Sequence, residues 1–187
     1  MATMTENLQY QKVLITGGAT RIGAEIAKSI AGRKNKITIH YNRSGNKAKK
    51  LKKILEKKGS EVFLVKANLN NISELNKILP FANKKMKGIS CLINNASIFE
   101  NDNIKNFSTE SWDKHLNINL KAPALLTKQL AKIVKKKNKA NIINIIDQRV
   151  FKLTPDFLSY TLSKVGLYNL TKTSAMDLAP SIRINGI

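Results

Sequence analysis

Short apolar, β-branched runs recur along the chain: KVLIT at 12–16, KITIH at 36–40, EVFLVK at 61–66, SCLINN at 90–95, ANIINIID at 140–147 and SIRINGI at 181–187. Between them the apolar positions take the three-and-four spacing of amphipathic helices, over 21–33, 46–58, 72–86, 109–136 and 157–179. Strand and helix alternate to the last residue. This predicts an α/β fold of Rossmann type, a doubly wound parallel sheet with helices on both faces, ending at about the sixth strand. The near-continuous apolar run ANIINII suits a central strand covered on both sides. Ser108 or Thr109 is placed to cap the fourth helix, and Thr154, followed by Pro155, to open the fifth. No repeat or linker divides the chain, so residues 1–187 read as a single domain.

Ligands of such sheets lie beyond the carboxyl ends of the strands, where the winding reverses, so polar residues at strand ends carry the candidate chemistry. After the first strand stands TGGATRIG, Thr16 to Gly23. Its small residues let the backbone turn sharply and approach a pyrophosphate, whose charge is met by the N-terminus of the helix beginning near Arg21. An ordinary tight turn has the same composition. The place of this one, after the first strand and before an amphipathic helix, is what points to a dinucleotide. The second strand closes in HYNRS, where a site for NAD would place an acid to hold the ribose hydroxyls. Arg43 and Ser44 stand there instead, with Arg21 in the turn. A carboxylate repels a 2′-phosphate, whereas guanidinium and hydroxyl groups hold it through charge-assisted bonds, so the cofactor expected is NADP(H). The alternative is a pair of solvated surface arginines.

Near the other end, NIIDQRVFKLTPDFLSYTLSK brings a strand to a stop at Asp147 and continues to Tyr160 and Lys164, which share a helix face. A cation beside a phenol favours phenolate, so Lys164 is expected to lower the pKa of Tyr160 and make it an acid–base group near neutral pH.

The glycine turn, NNAS at 94–97, the asparagine of NINL at 117–120 and YTLSK at 160–164 together resemble the short-chain dehydrogenase/reductase superfamily, from about Lys12 to the last residue. The resemblance implies an oxidoreductase with Gly17, Arg21, Ile22, Gly23, Tyr41, Arg43, Ser44, Asn68, Leu69, Asn95, Ala96 and Lys164 around the cofactor. It also implies a catalytic set of Tyr160 as proton donor, Lys164 on the nicotinamide ribose and Asn119 positioning a water. The family's serine belongs at position 147, and here that residue is Asp147. A serine hydroxyl donates a hydrogen bond to a carbonyl, whereas an ionised carboxylate can only accept one. Asp147 therefore suits a substrate that presents N–H donors and ring nitrogens needing protons, as a pterin does. Arg21, HYNRS, NNASIF and Asp147 look like pteridine reductases and the related dihydromonapterin and dihydrofolate reductases. In that group Asp147, Tyr160 and Lys164 would carry the proton relay, Phe99 would stack on the pterin, Ser97 would touch cofactor or substrate, and Asp147 and Tyr160 would meet the substrate. Plainer readings stand beside these: Asp147 as a cap or partner of Arg149, Phe99 as core, Asn94 and Asn95 as turn residues, Trp112 and Tyr168 as packing.

Composition removes other classes. Cys91 is the single cysteine, which excludes an intrachain disulfide and a cysteine metal cluster, and His40 and His115 lack metal-ligand spacing, so no metal is expected. The polar start MATMTENLQYQK carries no signal peptide or membrane span, which suggests a cytoplasmic protein without a membrane partner. The net charge of +21 comes from lysines spread over helical surfaces (Lys47, Lys49, Lys50, Lys52, Lys53, Lys57 and Lys58, then Lys135, Lys136, Lys137 and Lys139) with few aromatics among them. That distribution reads as a solvated surface and not as a nucleic-acid site. Two departures from the family remain. Asn68 replaces an acid that would accept from the adenine amino group, and the chain stops at RINGI, before the family's substrate loop and last strand. The expectation is a fragment of a longer enzyme that forms a homo-oligomer when whole. The readings carried forward are an NADPH-dependent reductase of a pterin-type or dihydrofolate-type C=N bond, a carbonyl reductase of 3-oxoacyl type, and a catalytically silent dinucleotide-binding fragment.

Overall fold

A computed structural model describes residues 11–32, 34–134 and 139–187. Six parallel strands, β1 (Lys12–Ile15), β2 (Lys36–Tyr41), β3 (Glu61–Lys66), β4 (Cys91–Asn94), β5 (Ala140–Asn144) and β6 (Ile182–Gly186), lie in the order β3-β2-β1-β4-β5-β6. The helices are α1 (Arg21–Ile30), α2 (Gly45–Lys57), α3 (Ile72–Met86), α4 (Thr109–Leu116), α5 (Ala122–Ile133) and α6 (Leu158–Leu178). The alternation expected from the sequence is therefore present, and every strand falls within its apolar run except β2, which continues one residue further to Tyr41. Arg33, Lys135 to Lys137 and most of MATMTENLQYQK lie outside the described residues.

Alternation along each strand divides the core in two. Val13, Ile15, Ile37, Ile39 and Ile93 face one side, where Ala24 and Ala27 of α1 and Ala48, Leu51 and Leu55 of α2 cover them. Leu14, Leu92 and Ile142 face the other, against Leu75, Ile78, Leu79, Ala82 and Met86 of α3 and Leu126 and Leu130 of α5. Burying each of these larger side chains is worth about 1.5–3 kcal/mol. The lysines of α2 occupy the opposite face of that helix and are mostly exposed, because Ala48, Leu51 and Leu55 use the three-and-four stripe.

Three segments depart from the simple pattern. The helix expected over 109–136 is interrupted by a π-turn at Asn117–Lys121, with the Ala122 N–H donating to the carbonyl of Asn117. The cause is in the sequence: Pro123 has no N–H to give the carbonyl of Asn119, so the regular ladder cannot run through it. Ser108, as expected, caps α4 by accepting the N–H of Ser111 (3.1 Å). Thr154 does not open α6. It accepts from the guanidinium of Arg149 and donates to the backbone oxygen of Asp156 (3.0 Å), and the helix starts only at Leu158, after Phe157 in the left-handed region (φ 61).

Strand β5 is not uniformly apolar in use, since Asn144 is fully buried. Its oxygen accepts from Asn94 Nδ2 (2.8 Å) and its amide donates to Thr171 Oγ1 (2.8 Å), whose own proton goes to the carbonyl of Leu167 (2.7 Å). This ladder joins β4, β5 and α6 beneath the strand ends. Asn144→Ala would leave the buried Asn94 amide without its acceptor and take one donor from the Thr171 hydroxyl, and we expect a loss of about 1–3 kcal/mol. Urea unfolding should show it as a lower midpoint at unchanged slope.

Candidate active site

The winding reverses between β1 and β4, which are neighbours in the sheet, so the loops that follow them diverge and leave a cleft of about 460 Å³. Gly17, Arg21, Ile22, Asn68, Leu69, Asn95, Ala96, Ser97, Phe99, Asp147, Tyr160 and Lys164 line it, all singled out from sequence. His40, Asn42, Thr20, Ile98, Ile118, Ile145 and Ile146 line it as well, without having been singled out.

The glycine turn is built for close approach. Gly17 has φ 60, and a Cβ there would stand 2.9 Å from the Cα of Ala96. A Cβ at Gly23 would meet both Asn95 Nδ2 and the Gly17 oxygen at 2.6 Å, so Gly23 packs the helix start against the turn and does not face the cleft. Thr16 laces the two loops together: its Oγ1 accepts the N–H groups of Asn95 and Ala96 (both 3.0 Å), while Asn95 Nδ2 donates back to the oxygens of Thr16 (2.9 Å) and Gly17 (3.2 Å). Asn95 is thus a structural clamp as well as a wall of the cleft.

His40 completes this end. Its Nδ1 accepts the N–H of Gly17 (3.1 Å), which places the proton on Nε2, 3.0 Å from the carbonyl of Ala67. The ring is 2% exposed, and burial outweighs the Ala67 bond to pull its pKa down to about 4. An apolar-patterned strand hid this residue: KITIH carries its histidine where a turn residue would be read, and only the folded turn brings Gly17 to it.

Arg43 and Ser44 lie outside the main cleft, in a separate hollow with Gly45, Asn46 and Lys47. The hollow sits at the N-terminus of α2, where Ser44 occupies the cap position without spending its hydroxyl on the helix and the first turn holds no acid. Cationic groups, a hydroxyl and first-turn N–H groups together suit a phosphate. Tyr41 packs its ring against Gly45, 3.4 Å from where a Cβ would stand, and shapes that turn from beneath. Asn68 already accepts the N–H of Asn70 on its oxygen (3.0 Å), which leaves one lone pair for any further donor.

At the opposite end, Asp147 caps the short turn Gln148–Val150 by accepting the N–H of Arg149 on Oδ1 (2.9 Å), and accepts the phenol of Tyr160 on Oδ2 (2.7 Å). The capping reading holds, and the other oxygen of the same carboxylate meets the phenol of Tyr160. The expected drop in the tyrosine's pKa is not found. Burial raises it, the bond to Asp147 and that carboxylate's charge raise it further, and only Arg149 works the other way. Lys164 Nζ is 5.7 Å from the ring centre and donates to the carbonyl of Ile145 (2.8 Å), and burial brings its own pKa down to about 8 against the opposing pull of Asp147. The phenol here is a hydrogen-bond donor held by a carboxylate.

Phe99 is 53% exposed, which removes it from the core. It stacks on Phe157 (centroids 4.2 Å apart, planes within 5°) and meets Tyr160 edge-on at 4.6 Å, with the guanidinium of Arg149 4.6 Å from the Phe157 centre. Ser97 donates to the Ile98 carbonyl (3.2 Å). Asn119 does not line the cleft. Its side chain is buried, accepts the N–H of Ile98 (3.0 Å) and donates to the Ile98 oxygen (3.1 Å) and to Ser163 Oγ (3.0 Å). It shapes the wall from behind. Among the described residues no group of acidic, histidine and cysteine side chains could hold a metal, and no helix is long and apolar enough to cross a membrane.

The sequence profile of the short chain dehydrogenase family matches residues 11–187. The chain is 28% identical over 181 residues to the 3-oxoacyl-[acyl-carrier-protein] reductase of Synechocystis, covering 96% of this chain and 73% of that one. Among solved structures, FolM alternative dihydrofolate reductase 1 from Brucella canis, complexed with NADP, superposes with a TM-score of 0.88 at 38% identity over 93% of this chain and 70% of its own. A short chain dehydrogenase from Burkholderia cenocepacia in complex with NADP superposes at 0.90 with 24% identity, a likeness of fold. The chain belongs to the short-chain dehydrogenase family.

Because His40 resists protonation when folded, the unfolded chain takes up a proton below pH 6.5 that the folded chain refuses until about pH 4. Stability is therefore expected to fall by about 3 kcal/mol as the pH drops across that window and to change no further through this group below it. In urea titrations the difference between wild type and His40→Gln should shrink progressively from pH 7 to pH 4, while a constant difference would exclude the effect.

Proposed function

We propose that this member of the short-chain dehydrogenase family is an NADPH-dependent reductase of a pterin-type or dihydrofolate-type C=N bond. The observation that carries the reading is Asp147 within 2.7 Å of the Tyr160 hydroxyl at the wall of the cleft. A carbonyl reductase needs a donor at that position to polarise its ketone, and an ionised carboxylate offers only acceptors. The 38% identity to the Brucella FolM alternative dihydrofolate reductase supports the same substrate class.

The cofactor, when bound, supplies a hydride to the carbon of the C=N bond. Arg43, Ser44 and the first turn of α2 hold its 2′-phosphate, and Arg21 with the start of α1 meets the pyrophosphate. Phe99, exposed and already edge-on to Tyr160, offers its ring to the flat substrate. Tyr160 gives its proton to the ring nitrogen, so that C=N becomes CH–NH. A phenol whose pKa stands raised is a reluctant acid in the unliganded cleft. Substrate N–H groups that take over the acceptor Oδ2 of Asp147 release the phenol and remove part of what holds its proton. Lys164, kept within reach by the carbonyl of Ile145, stabilises the phenolate that remains, and Asp147 returns a proton to it from solvent.

The Synechocystis relative favours a second reading, reduction of a 3-oxoacyl thioester. The two are separated by following NADPH oxidation with dihydropterin, dihydrofolate and a 3-oxoacyl thioester in turn. Turnover on the pterin or folate is expected, with Tyr160→Phe lowering kcat by about a hundredfold or more. Wild-type preference for the thioester would sink the pterin reading. Asp147→Ser is expected to move preference towards the thioester. Arg43→Asp should abolish discrimination between NADPH and NADH, and a variant that still favours NADPH would locate the phosphate elsewhere.

A further inference from the structure

Helix α6 carries Tyr160 in its first turn but has no cap of its own. Phe157 at the cap position contributes no side-chain bond, and the first turn contains no acid. The acceptors come from Asp102, 57 positions before Ser159. Its backbone oxygen takes the N–H of Leu158 (3.2 Å), its Oδ1 takes the N–H of Ser159 (3.1 Å) and its Oδ2 takes the hydroxyl of Ser159. This is the bonding of an N-cap aspartate supplied from a distant segment. Asp102 is 4% exposed and Ser159 is fully buried. A carboxylate survives at such depth only where hydrogen bonds and a favourable field offset its lost hydration, and the positive end of the helix adds the field.

His115, also fully buried, closes the cluster. Its Nε2 accepts the N–H of Glu100 (3.2 Å), so the neutral ring carries its proton on Nδ1, which lies 2.9 Å from the Ser111 oxygen and 2.7 Å from Ser159 Oγ. Serine, histidine and aspartate so grouped look like a nucleophilic triad, but the donation runs the wrong way. The hydroxyl gives its proton to the carboxylate and receives one from the imidazole, so the histidine cannot act as its base. None of the three lines the cleft. Their chemistry is that of a fastening.

What they fasten is the reactive end. Ser159 immediately precedes Tyr160, and Asp102 follows Phe99 by three residues on the loop that leaves β4. We propose that Asp102 is a positioning residue: through Ser159 it fixes the first turn of α6 so that the Tyr160 hydroxyl meets Asp147, and it holds the Phe99 wall at a set distance from that hydroxyl. The catalytic part of this inference rests on Tyr160 being the proton donor.

The test uses the full chain with Asp102→Asn, which keeps the volume but turns an acceptor into a donor, and Ser159→Ala, which removes only the hydroxyl and carries the same comparisons where the first variant does not fold. Hydrogen–deuterium exchange followed by mass spectrometry should show peptides covering 157–164 exchanging about tenfold faster, with peptides of β1 and α1 unchanged. Binding of NADPH should stay within about twofold, kcat should fall about tenfold or more, and combining either variant with Tyr160→Phe should add no further loss. Unchanged exchange at 157–164 in both variants would overturn the proposal, as would losses that multiply in the double variant. Faster exchange throughout the chain would reduce Asp102 to a stability role and overturn it too. Silence of the parent chain on every substrate would sink the functional reading instead, and the exchange measurement would still decide the placement of α6.

Discussion

The hydroxyl of Thr16 is the tie on which the cleft depends. It stands at the end of β1, where the sheet's two halves wind in opposite directions, and takes two N–H groups from the loop after β4 at 3.0 Å each. Without such a tie, neighbouring strands whose connections leave in opposite directions would part at their carboxyl ends, and the backbone groups of both loops would need water. With it, Gly17 can lie 2.9 Å from Ala96 at the distance measured from a notional Cβ, which is why no side chain fits there. His40 extends the same tie to β2 and β3 by accepting from Gly17 and donating to Ala67. The glycine turn is thus held from both sides by buried polar side chains, Thr16 bonded to the loop after β4 and His40 to Gly17 and Ala67.

Burial decides the electrostatics at the reactive end. Proximity of a lysine would by itself favour phenolate, but Tyr160 and Lys164 are both desolvated, and desolvation penalises whichever member is charged. Asp147 then tips the balance by accepting the phenolic proton at 2.7 Å. The resting arrangement stores a proton on Tyr160 next to a carboxylate that has another oxygen occupied by the Arg149 N–H. Such a pair is suited to substrates that bring hydrogen-bond donors of their own, since only those can relieve the carboxylate of its present partners. A serine at position 147 would impose no such requirement.

Much of this was legible in the residues and some of it was not, for definite reasons. Strand positions and the two-faced core follow from periods of two and of three and four, which burial enforces; TGGATRIG and NNAS close the two strands between which the winding reverses, and YTLSK on α6 brings Tyr160 and Lys164 to the same cleft. The span of α6 was legible but its cap was not, because Thr154–Pro155 carries a good local signal, and a left-handed Phe157 with a cap borrowed from Asp102 carries none. The π-turn was written in Pro123, whose missing N–H acts on a residue one turn earlier and so does not mark its own position. His40 and the pKa of Tyr160 depend on who is buried beside whom, which spacing along the chain does not encode.

The same distinction separates Asn119 and Asp102 from the residues that line the cleft. Both are buried polar groups whose side chains are spent on backbone N–H groups or on serine hydroxyls of α6, Asn119 on Ser163 and Asp102 on Ser159. Those serines flank Tyr160 on either side, at one residue before and three after, so the helix turn that carries the phenol is bound to the β4 loop at two points. A turn pinned twice can shift only if buried acceptors are stripped of their donors, at a cost of about 1–3 kcal/mol for each. That cost is what keeps the Tyr160 hydroxyl within bonding distance of Asp147 in a helix whose own first residues supply no cap.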